Sequence, residues 1–127
     1  MRLKTKLLEA ILRGHNVNTP VKEQFTKSWI RAINFATDYP AEYKYIEMFS
    51  HSPKISDEAE NKINKLILPV VEIYEKGKNE GIIKQIDSTS LIYFTSGGIT
   101  GSVLNKPKIT KEEIEVLISM AWDAIKN

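Results

Sequence analysis

At 127 residues, with a formal net charge of +2 and no cysteine, the chain has room for one domain with a real core but not for two. The missing cysteines exclude disulfides, thiolate metal sites and cysteine nucleophiles together, which suits a reducing cytoplasm. The near-balanced charge gives no bulk argument for nucleic-acid binding. Within residues 1–31, Arg2, Lys4, Lys6, Arg13, Lys22, Lys27 and Arg31 outweigh Glu9 and Glu23, a basic start that could face a polyanion but is more commonly a solvated helix face. No apolar run approaches the roughly eighteen residues of a membrane span. Glu9 interrupts the basic-then-apolar start and no cleavage site follows, so no signal peptide is expected.

Apolar residues recur at helical spacing along the whole chain, and nowhere do they alternate as in a strand. Leu3, Leu7, Leu8, Ile11 and Leu12 form a first stripe, with Gly14 where a C-cap would end it. Thr19-Pro20 reads as an N-cap followed by proline at the first helical position. The helix it opens has its stripe at Phe25, Trp29, Ala32, Ile33 and Ala36 and stops at Tyr39-Pro40. Pro40 can open a short helix carrying Tyr43, Tyr45, Ile46 and Phe49. His51-Ser52-Pro53 reads as a loop, and Ser56 with Asp57 and Glu58 as a helix start with acids at the positive end of the dipole. The longest helix follows, with Ile63, Leu66, Ile67, Val70, Val71 and Tyr74 on one stripe and a kink expected at Pro69. Gly81-Ile82 resembles a Schellman ending. Asp87 caps the next helix, which ends at Asn105-Lys106-Pro107. Thr110 and Glu113 make a capping box for the last, whose stripe is Ile114, Leu117, Ile118, Ala121, Trp122 and Ile125. The expectation is one all-α domain of about six helices.

Enzymatic chemistry has no candidate. Glu47 and His51 are four apart, but two groups are too few for a stable metal site, and no serine sits in a nucleophile-elbow pattern. The carboxylates interleave with lysines, as at Lys62, Lys65, Glu72, Glu75 and Lys76, like a solvated helix face. No catalytic residue, metal or cofactor is therefore expected. The stretch "TSGGITGS", with three of the chain's six glycines, has neither the spacing nor the strand context of a phosphate loop. Each glycine within a helix costs about 1 kcal/mol relative to alanine. Close approach of another backbone at Gly97-x-x-x-Gly101 would offset that; a broken helix and room for a ligand are the alternatives. The last two helices could pair with their copies as a four-helix bundle or only complete the chain's own core.

The segments "INFATDYPAEYKYIEMF", "SHSPKISDEA", "LILPVVEIYEKGKNEGIIKQID" and "YFTSGGITGSV", followed by a final helix with a tryptophan, occur in an order that resembles the C-terminal half of TetR-family (tetracycline-repressor-like) transcriptional regulators. The resemblance runs from about Leu7 to Ile125. It implies a single ligand-binding and dimerisation domain over 1–127, with 1–14 the connector helix to a DNA-binding head of roughly fifty residues that this chain does not match. The implied dimer is a four-helix bundle of the last two helices and their copies, drawing on Leu91, Phe94, Gly98, Gly101, Leu117, Ala121, Trp122 and Ile125. The implied pocket draws on Phe25, Trp29, Ile33, Phe49, Ile63, Ile67, Val70, Tyr74 and Tyr93 and suits a small apolar or aromatic effector. The implied function is effector sensing in a cytoplasmic homodimer that reaches DNA only through heads outside this chain. The effector would move the connector helix and respace those heads. A stand-alone helical dimerisation or interaction protein without DNA binding is the second reading.

Overall fold

A computed structural model describes residues 2–49 and 57–127, leaving aside the side chains of Phe49 and Ala59. The expected loop at His51–Pro53 and the expected helix start at Ser56 lie outside these residues. The described residues form six α-helices: α1 (Arg2–Leu12), α2 (Val21–Asp38), α3 (Pro40–Phe49), α4 (Asp57–Asn79), α5 (Ser88–Leu104) and α6 (Lys111–Ile125). Helix α2 is the hub. Its buried positions Val21, Gln24, Phe25, Ser28, Ala32, Ile33, Phe35 and Ala36 cover more than one face, and it packs on α1, α3, α4 and α6. Fully buried Phe25 meets Tyr74 of α4 edge-on at 6.0 Å and Trp122 of α6 at 5.3 Å between ring centroids.

Helix α1 runs antiparallel to α2. The Arg31 guanidinium donates to the Ile11 carbonyl at one end, and the Lys6 ammonium sits 4.3 Å over the Tyr39 ring at the other. Gly14, with φ +76°, turns the chain after α1. The cap of α2 falls one residue later than expected, on Pro20, which has no side-chain acceptor. The Thr19 hydroxyl donates instead to the Asn16 carbonyl at 2.9 Å, and the Gln24 amide reaches back to the Thr19 and Val17 carbonyls at 2.7 and 3.2 Å. Side chains from inside the helix thus order the loop that a cap would have ordered.

The other ends follow their sequence signals. The Asp87 carboxylate accepts from the Ser90 N–H, and Thr110 with Glu113 forms both bonds of a capping box. Helix α4 continues through Pro69. At its end the Ile82 N–H donates to the Gly77 carbonyl at 2.8 Å and the Gly81 N–H to that of Lys78 at 3.0 Å, with Gly81 at φ +73°, the Schellman pattern. The turn drives Ile83, fully buried, onto Gly77. The end of the chain locks onto the same corner: Lys84 N–H donates to the Ile125 carbonyl at 2.9 Å and Asn127 N–H to that of Ile82 at 2.8 Å.

Two predictions come from these contacts. A Cβ on Gly77 would lie 2.7 Å from Ile83 Cγ1, closer still to its Cδ1, and 3.1 Å from Val21 Cγ1. Overpacking of this kind costs typically about 1–3 kcal/mol and should outweigh the helix-propensity gain of about 1 kcal/mol. Gly77→Ala should therefore lower the urea midpoint, and a raised midpoint would contradict this packing. The second concerns His15, in the turn after α1. Burial chiefly, and then the Arg31 charge, hold its imidazole below the ordinary pKa, against a smaller pull from Glu72. Its Nε2 is buried without a hydrogen-bond partner. Because the folded pKa is the lower one, the unfolded chain takes the proton first, and stability falls as pH drops below about 6.5. His15→Gln should flatten that part of the stability–pH curve relative to the unsubstituted chain. Parallel curves for the two proteins would refute it.

Candidate functional site

The apolar stripes of five helices do not close on one another. Between α1, α2, α3, α4 and α5 they leave a cavity of about 350 Å³. Helix α1 contributes Lys4, Leu7, Leu8 and Ile11, and α2 contributes Ser28, Trp29 and Ala32. From α3 come Tyr43, Ile46 and Glu47, and from α4 Ile67, Val70 and Tyr74. Helix α5 closes the ring with Ile92, Tyr93, Ser96, Gly97 and Thr100. The wall is mostly aliphatic and aromatic, with a few hydroxyls and two charged groups, Lys4 and Glu47, the usual make-up of a small-molecule pocket.

The buried hydroxyls of Tyr43, Tyr74 and Thr100 have partners within the chain. The Thr95 hydroxyl donates to the Leu91 and Ile92 carbonyls at 3.0 and 3.1 Å. Its oxygen, 3.3 Å from that of Tyr74, is thereby left as the acceptor for the tyrosine proton. The Tyr74–Thr95 bond ties α4 to α5. A second pair, Tyr43 Oη and Thr100 Oγ1 at 2.7 Å, ties α3 to α5. Burial pushes the Tyr43 phenol up to about 12, against the Thr100 hydrogen bond and helped by the Glu47 charge. Burial likewise raises Tyr74, against its bonds to Thr95 and Trp29. Both phenols are neutral at physiological pH, so they offer a ligand hydrogen bonds and no charge.

Of the residues assigned to a pocket from sequence, Trp29, Ile67, Val70, Tyr74 and Tyr93 line this cavity. Phe25, Ile33 and Ile63 are buried outside its wall, Phe25 because it points at Trp122 of α6. The side chain of Phe49 lies outside the described residues. Sequence reasoning missed the wall supplied by α1, by Tyr43 and Ile46 of α3, and by Thr100. The stripe Leu7, Leu8, Ile11 was visible in the sequence, but periodicity marks an inward face without saying whether it meets a helix or a void.

The residues assigned to a subunit interface divide in two. Phe94, 70% exposed, shares the outer face of α5 with exposed Gly98 and Gly101. A Cβ on Gly97, Gly98 or Gly101 would meet nothing within 4 Å, so among the described residues no other helix packs against them. Leu91, Ala121, Trp122 and Ile125 instead turn into the chain's own core, and Leu117 is partly buried against it. On α5 the inward positions Leu91, Thr95, Ile99 and Val103 repeat every four residues and leave Phe94, Gly98 and Gly101 on the other side. Exposed Val116 and Met120 of α6 are apolar as well and were missed. They stand on the opposite side of that helix from buried Ile118, Trp122 and Ile125.

Among the described residues no helix is long and apolar enough to cross a membrane. No curated protein sequence matches the chain. Several solved structures share its fold, among them three regulators. A tetR family transcription regulator from Shewanella sp. PV-4 superposes with a TM-score of 0.83 at 14% identity, over 99% of this chain and 70% of that one. One from Marinobacter aquaeolei VT8 does so with a TM-score of 0.83 at 22% identity, over 99% and 68%. A TetR family protein from Vibrio parahaemolyticus gives a TM-score of 0.71 at 20% identity, over 99% and 69%. The family model for the tetracyclin repressor-like C-terminal domain matches residues 1–127, and with the six-helix fold around its cavity the chain belongs to that TetR C-terminal domain family.

Proposed function

We propose that this chain is the small-molecule-sensing and dimerisation domain of a TetR-like transcription regulator, whose DNA-binding heads would be carried by residues outside it. The observation that carries this reading is the apolar cavity among α1, α2, α3, α4 and α5. Its occupant would be a small, uncharged, mainly apolar or aromatic compound. Such a compound loses little on leaving water, whereas an ion would lose several kcal/mol or more, and the neutral phenols of Tyr43 and Tyr74 would orient it. Helix α1 supplies Leu7, Leu8 and Ile11 to the wall, so a ligand that fills the cavity presses directly on the proposed connector. The effector would shift the population of α1 positions and with it the spacing of the heads, to the extent of its differential affinity for the two arrangements. No catalytic role is proposed.

The dimer would form through the outer faces of α5 and α6. Helix α5 carries no charged residue on any face, and its exposed side combines Phe94 with glycines whose surroundings are open. A second copy there would gain the close backbone approach that offsets the glycines' cost in helix stability. Met120, 63% exposed, and Val116 extend the apolar surface onto α6. Leu117 would sit at the edge of that contact, while Leu91, Ala121, Trp122 and Ile125 would support it from beneath.

The two halves of the reading have separate tests. Sedimentation should show a dimer at micromolar concentration, and Phe94→Glu should weaken it at least about tenfold, or about 1.4 kcal/mol. A monomer in the unsubstituted chain would contradict the dimer. Val70→Phe puts a ring into the cavity and should weaken binding of the neutral fluorophore N-phenyl-1-naphthylamine by roughly tenfold or more without dissociating the dimer. Unchanged fluorophore affinity in that variant would contradict the cavity as the binding site.

A further inference from the structure

Three of the residues that line the cavity are exposed: Glu47 on α3, and Tyr93 and Gly97 on α5. Glu47 lies one turn along α3 from Tyr43, and Gly97 and Tyr93 lie one and two turns along α5 from Thr100. The Tyr43–Thr100 hydrogen bond, 2.7 Å, therefore stands beside the place where the cavity reaches the surface. Helix α3 packs on α1 and α2 and is tied to α5 by this bond. Gly97 is the remaining oddity. A helix interior disfavours glycine, and a Cβ at 97 would touch nothing within 4 Å, so packing among the described residues does not require it. The missing side chain instead leaves open space between the cavity and the outside.

We propose that the gap at Gly97, between α3 and α5, is the entrance of the cavity for a neutral, flat, apolar ligand, and that a second copy seated on the adjoining Phe94–Gly98–Gly101 face borders this entrance and slows exit. The inference rests on the reading of the cavity as a ligand chamber and of α5 as the face covered by a second copy. It adds that chamber and interface share one lip. Gly97 and Gly98 are consecutive on the same turn, and Tyr93, 65% exposed, sits beside Phe94. On the α5 side the lip has no charge, while Glu47 of α3 stands on the other side of it. A partner helix approaching Gly98 and Gly101 closely would stand next to the opening. Ligand release and subunit separation would then be linked, since whatever stabilises the dimer also covers the exit.

The absence of cysteine allows the lip to be blocked after folding. Gly97→Cys and, separately, Gly101→Cys would be folded, labelled with N-ethylmaleimide and mixed with N-phenyl-1-naphthylamine. Uptake would be followed by energy transfer from Trp29, which lines the cavity; Trp122 lies in the core. Labelling Gly97→Cys should slow uptake at least about tenfold relative to its unlabelled form. Labelling Gly101→Cys, off the cavity wall but on the outer face, should separate the subunits and speed both uptake and release, because the same lip is crossed in either direction. Unchanged uptake in labelled Gly97→Cys would overturn the entrance. Unchanged release in labelled Gly101→Cys, once its subunits are apart, would overturn the partner's part. If the unsubstituted chain takes up no fluorophore, the chamber reading itself falls and the entrance with it.

Discussion

The contact of Phe25 with Tyr74 and Trp122 is the constraint on which the rest of the architecture depends. It joins the middle of the domain, α2, to α4 and α6 with rings at 6.0 and 5.3 Å. Complete burial of a side chain of this size is worth about 1.5–3 kcal/mol, and ring–ring geometry adds to it. With those three helices fixed, α1 and α3 lie over the remaining side, and α5 completes the enclosure. Tyr74 stands at the boundary. Its ring belongs to the packed core, while its hydroxyl faces Trp29 and Thr95. The same residue therefore ends the core and begins the cavity.

The space of about 350 Å³ is closed on the core side by Tyr43, Ile46 and Tyr74 and reaches the surface beside Glu47, Tyr93 and Gly97. The Tyr74–Thr95 and Tyr43–Thr100 pairs tie α4 and α3 to α5. The walls thus hold their shape by internal hydrogen bonds, and the space between them suits a mainly apolar occupant. That combination fits a preformed chamber better than an accident of packing.

Much of the fold was legible because its signals are local. Asp87 and the Thr110–Glu113 box mark helix starts by chemistry that needs no tertiary partner, and Gly81 marks an end through its positive φ. The Thr19 cap failed for the complementary reason: Gln24, within the helix, satisfied the loop carbonyls and shifted the boundary to Pro20. Gly77 carried no local signal, because its need for a missing side chain comes from Ile83, six residues further on. The cavity was half legible. Trp29, Ile67, Val70, Tyr74 and Tyr93 were recognisable as inward and apolar, but whether Phe25 or Leu7 meets a void depends on where α6 and α1 lie. The outer face of α5 was the least legible of all. A helix without charge reads the same on every side, so Leu91 and Phe94 could not be told apart until the fold turned one in and left the other out.

Membership of the TetR C-terminal domain family and this geometry bear on each other at α1, which both walls the cavity and is held to α2 by Arg31 and Lys6. A ligand that displaces Leu7 and Ile11 would work against those two contacts, and their strength sets how far α1 can answer. The central claim is that the space beneath α1 is an apolar chamber that can be filled. Diffraction from crystals pressurised with xenon tests it most directly. The account predicts xenon density bounded by Trp29, Val70 and Tyr74, with α1 in place above it. Crystals with no xenon there, and with Leu7 and Ile11 packed down against Val70, would contradict it.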